Sequence, residues 1–72
     1  MIDNFHIPRD FEIQWDRFST LDLRTKTVWL FLYSQKGINT NIIAIESILG
    51  LDHDTVERAV LTVFAIKGGL EW

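Results

Sequence analysis

The sequence predicts a mainly α-helical domain built on three helices, with short β-strands at its margins. Three observations predict it. Val56, Ala59, Val60, Val63 and Phe64 recur at the spacing of an amphipathic helix face. Two earlier apolar segments each end at a glycine, Gly37 and Gly50, where a left-handed residue commonly stops a helix. The composition is 47% hydrophobic, with five Phe, three Trp and one Tyr, which suits a packed core and argues against disorder. That density matters because a chain of 72 residues buries only about 60% of its unfolded surface. With no cysteine, no disulfide or thiolate metal site can add to it.

Taken in order, residues 1–18 read as an N-terminal arm able to carry a short strand, and residues 19–72 as the helical domain. Pro8 discourages a helix through Ile7. Beyond it Phe11, Ile13 and Trp15 alternate with Glu12, Gln14 and Asp16, the period of a half-buried strand. "STLDLRTKTVWLFLYSQKG" is the first predicted helix, capped by Ser19 or, for a slightly later start, by Asp22. Lys36 stands in its last turn, where the dipole favours a cation, and Gly37 stops it. Ile38 is expected to form a small bridge, and Asn39 or Thr40 to cap a second, short helix. Ile42, Ile45, Ile48 and Leu49 are assigned to the inner face of that helix. Gly50 ends it, Leu51 plugs the turn, and Asp52 caps the third helix, which closes at Lys67 before Gly68 and Gly69. The last three residues suit a single strand, and the segment around Phe11 and Trp15 is its expected partner. Trp29, Phe31, Tyr33 and Phe64 are expected in the core rather than on a stacking platform.

The phrase "LGLDHDTVERAVLTVFAIKGGLEW", preceded by "IPRDF" and "LDLRTKTVWLFLY", resembles the winged-helix branch of the helix-turn-helix superfamily. It is similar in particular to the N-terminal domains of phage and plasmid replication initiators and of bacterial transcription regulators. The resemblance covers about residues 21–72 and implies a three-helix, winged-helix-like core. It implies a regulatory role on double-stranded DNA, with the start of the third helix as the reading face. The wing is expected to be truncated or absent, because only three residues follow Gly69. Within this pattern Gly50 takes the backbone through the elbow, Leu49, Leu51 and Val56 pin the two helices, and Ala59 lets the third approach the first.

Two departures shape the functional expectation. Glu46 occupies the mid-helix position where the family pattern has a small residue, so its carboxylate must escape to the edge of the helix contact. The outward residues of the third helix are Asp52, His53, Asp54, Glu57, Arg58 and Leu61. From residue 41 to 61 the four acids Glu46, Asp52, Asp54 and Glu57 face Arg58 alone, a local charge of −3. DNA-binding surfaces usually gather cations, because phosphate neutralisation supplies much of their affinity. Local helix physics accounts for the acids without any partner: Asp52 caps, and Asp54 and Glu57 each gain roughly 0.3–1 kcal/mol near a helix N-terminus. It does not remove their cost to DNA binding.

The candidate contact residues are therefore His53, Asp54, Glu57, Arg58 and Leu61, for DNA or for a protein. Lys26, Lys36 and Asn41 are candidates for phosphate contact. Arg9, Arg17 and Arg24 complete a group of cations in the first half of the chain. The competing expectation is an acidic protein-binding module that docks on a basic partner or on itself, steered by charge. Exposure of Ile43, Leu61 and Ile66 would favour such a docking surface or a homodimer. Neighbouring side chains of "DHD" diverge on a helix and cannot converge on one ion, so no metal or other cofactor is expected. No phosphate loop, serine elbow or paired-carboxylate cleft is visible, so neither an enzyme nor a small-molecule substrate is expected. The longest apolar run, residues 28–33, is far too short to span a bilayer. No secretory leader is visible, and a cytoplasmic protein is the default expectation.

Overall fold

The computed structural model describes residues 4–67. The elements are β1 (Asn4–His6), α1 (Trp15–Phe18), α2 (Leu23–Ser34), β2 (Asn39–Asn41), α3 (Ile42–Leu49) and α4 (His53–Lys67). The domain is thus mainly helical with a two-stranded antiparallel sheet, in which Phe5 pairs with Thr40. α4 packs against both α2 and α3.

The chain before α1 belongs to the core. Phe5, Ile7, Phe11 and Ile13 are all buried, Ile7 completely. Backbone bonds strap this segment to the turn after α2: Ile7 N donates to Ile38 O at 3.0 Å, and Gly37 N to Ile7 O at 2.7 Å. Gly37 takes φ +81°, where any side chain is strained, and a Cβ there would press on Arg9 Cγ at 3.0 Å. Phe5 then meets Phe64 near the end of α4 edge-on, with ring centroids 5.2 Å apart.

Here the structure corrects the sequence reading. The strand lies at Asn4–His6, not at the Phe11–Trp15 alternation. Phe11 and Ile13 do face inward, but Trp15 opens the one-turn helix α1 and is 64% exposed. Its ring leans edge-on against Phe18, which in turn tilts against Trp29. The observed partner of β1 is β2; the last three residues lie outside the described part of the chain.

α2 starts after Asp22, whose backbone is extended and whose carboxylate accepts from the Thr25 hydroxyl. Ser19 instead closes α1, its hydroxyl donating to Asp16 O. The inner face of α2 is Thr25, Val28, Trp29 and Leu32. Tyr33, expected in the core, points outward with the Lys36 ammonium 4.2 Å from its ring centre. α3 is capped one residue later than expected, by Asn41, whose side-chain oxygen accepts from Ala44 N at 2.8 Å. Ile42 and Ile45 are buried and Leu49 is half-buried against them, but Ile48 is 64% exposed. At 100° per residue Ile48 lies on the flank opposite Glu46, and Glu46 marks the side that meets α4. The α4 stripe is buried at every one of its five positions.

Candidate functional site

The corner between α3 and α4 is built from three residues. Gly50 is left-handed at φ +70° and its N–H donates back to Glu46 O at 2.8 Å. Leu51 packs on the core edge. Asp52 then caps α4: its carboxylate accepts from the Thr55 N–H at 3.3 Å and from the Thr55 hydroxyl, and its carbonyl accepts from Val56 N. These bonds to the ionised form hold the Asp52 carboxyl below its ordinary pKa, with the Thr55 hydroxyl as the main cause.

Glu46 escapes the helix contact toward α4. There His53 Nδ1–H donates to Glu46 Oε2 at 2.7 Å, and the other ring nitrogen lies 3.8 Å from Glu57 Oε2. One imidazole thus sits between carboxylates from two helices. The hydrogen bond to Glu46 is the main cause raising the His53 pKa above 6.5; partial burial opposes it, and the charges of Glu46, Glu57 and Asp54 add to it. The two carboxylates engage opposite edges of the ring and so cannot share a cation with it. Among the described residues no three His, Cys, Asp or Glu side chains are grouped to hold a metal ion.

A pH dependence follows from the sign of this shift. A raised folded-state pKa means the imidazolium stabilises the fold fully below about pH 6.5, and that contribution is lost as pH rises through the folded value. Glu46→Gln removes the main cause. We expect its stability deficit relative to the parent to be larger at about pH 5.5 than at about pH 8.5. Urea midpoints at the two pH values check this, and equal deficits would refute it.

The remaining sequence-predicted residues are placed as follows. Asp54, Arg58 and Leu61 occupy successive turns of the outer face of α4 and are exposed. His53 and Glu57 take the flank toward α3, while Thr55 and Thr62 take the flank toward α2. Lys26 lies over the Phe18 ring at 5.7 Å, and Lys36 over Tyr33. The side-chain amide of Asn41 is occupied at both ends, donating to Asn4 Oδ1 at 3.1 Å and capping α3. Ile43 is 72% exposed and Leu61 is exposed, whereas Ile66 packs against the core edge.

The sequence marks Glu46 as anomalous and sets His53 and Glu57 among the outward residues of the third helix, without joining Glu46 to His53. The signal available was their separation by seven residues across a three-residue elbow, which turns the two side chains toward one another. No helix among the described residues is long and apolar enough to cross a membrane. No protein-family model, curated protein or solved structure matches this chain.

Proposed function

We propose that this domain is a non-enzymatic, winged-helix-like helix-turn-helix regulator that acts on double-stranded DNA in replication or transcription control, in the cytoplasm. The supporting observation is the α3–α4 corner. A short helix and a longer one join through a glycine turn, and the longer one projects Asp54, Arg58 and Leu61 from successive turns of its outer face. A helix so presented can enter a major groove, with α2 packed behind it as support. Arg58 is then the base- or phosphate-seeking group on that face, and Asp54 can accept from a cytosine amino group.

The test is binding of a random-sequence duplex across a salt series. Affinity is expected to fall linearly on a double-logarithmic plot, with a slope near −0.9 per phosphate neutralised. No binding at low salt would reject direct DNA contact.

One observation favours a second reading. Glu46, Asp54 and Glu57 surround His53 at the corner, a concentration of acid suited to a basic protein surface. Under this reading the same scaffold docks on a protein, and capture of that protein from lysate survives nuclease treatment.

A further inference from the structure

Charge is divided across α4. The flank toward α3 carries His53 and Glu57, whereas the flank toward α2 carries Thr55, Thr62 and, at its edge, Arg58. On that second flank α4 and the start of α2 enclose a groove of about 320 Å³. Asp22, Arg24 and Thr25 line it at the start of α2, and Thr55, Arg58 and Thr62 from α4, with Ala59 and Leu21 giving it an apolar floor. Both arginines are exposed, and neither forms an ion pair with a carboxylate among the described residues.

We propose that this groove is a phosphate-binding site in which Arg24 and Arg58 together hold a backbone phosphate of the duplex. The inference rests on the DNA reading above and adds to it where the strand runs: along the α2 side of α4, away from Glu46 and Glu57. Planar guanidinium groups suit this task because their paired N–H donors match phosphate oxygens. Asp22 lines the groove and Asp52 lies close by, and both carboxylates are hydrogen-bonded in their ionised form. Asp22 and Asp52 accept from the hydroxyls of Thr25 and Thr55, and both feel the charge of Arg24. They lessen the pull of Arg24 on a lone anion, so the site favours a polyanion held at several points over free phosphate. Asp54 precedes Arg58 by one turn on the outer face and is not part of the groove lining.

The experiment measures binding of a random-sequence duplex against salt for the intact chain, Arg24→Ala, Arg58→Ala, the double variant and Arg17→Ala. Arg17 lies on α1 and carries the same charge away from the groove. Each groove variant is expected to lose about ten-fold in affinity near 50 mM salt and to flatten the slope by about 0.9. The double variant flattens it by about twice that, while Arg17→Ala leaves it unchanged. Thermal melts by circular dichroism confirm folding, which exposed arginines do not threaten. If the intact chain binds duplex and the double variant keeps its slope, the groove assignment falls and the DNA reading stands. The groove assignment falls equally if Arg17→Ala flattens the slope as much as a groove variant. If the intact chain does not bind duplex at all, both readings fall together.

Discussion

Replacing Trp29 by alanine is expected to destabilise the domain by about 3–5 kcal/mol. Total stability for a chain of this size is only about 4–10 kcal/mol, so the variant should be largely or wholly unfolded in mild urea. Trp29 is completely buried on the inner face of α2, beside Val28 and Leu32, with the Phe18 ring centre 5.8 Å away. Among the described residues it is the largest fully buried side chain, so its removal leaves a cavity that helices held by their caps and turns cannot close. The indole carries a penalty of its own, because its Nε1–H is buried with no acceptor among the described residues. Trp29→Phe forfeits part of the ring but relieves that donor, and should cost only about 1–2 kcal/mol. Urea unfolding followed by far-ultraviolet circular dichroism separates the two, since tryptophan fluorescence also reports Trp15 and Trp72. Similar midpoints for the two variants would contradict the packing described here.

How much of this was legible beforehand differs from element to element. α4 was readable in full, because five apolar residues at helical spacing have one consistent solution, and each of the five is buried. The elbow was readable for the same kind of reason: Gly50 and Asp52 act through bonds to residues within four positions of themselves. The N-terminal segment was misplaced because alternation at Phe11 and Ile13 shows which side chains turn inward, not whether a neighbouring edge is there to pair with. The free edge belongs to β2, and it aligns with Asn4–His6. Ile48 was misassigned because an eight-residue helix with nearly continuous apolar sequence does not reveal which flank its neighbour covers. At the candidate site, Glu46 was legible as a misfit, but its solution was not. That depends on the distance between two helices, which no local pattern encodes. The Arg24–Arg58 groove was hidden for the same reason, its two cations being 34 positions apart in sequence.

The charge-reversed variant Asp54→Lys/Glu57→Lys should move binding further than any other surface change, and its sign distinguishes the two functional readings. It alters the net charge by four units on the exposed start of α4. The fold should tolerate this. Asp54 is exposed, and losing an acid from the first turns costs about 0.3–1 kcal/mol each through the helix dipole, well within the stability of the domain. Glu57 stands 3.8 Å from the His53 ring, while the 2.7 Å bond to Glu46 remains to hold the corner. If α4 faces DNA, removing two repulsive charges and adding two cations beside Arg58 should raise affinity for a random duplex by about 100-fold near 50 mM salt, with a steeper salt slope. If the acids exist to meet a basic protein, nuclease-resistant capture of that protein should instead be lost, because each lysine now repels the surface its carboxylate attracted. A variant that changes neither duplex affinity nor capture would mean that this end of α4 touches no partner. Asp54 and Glu57 would then be retained for helix stability alone.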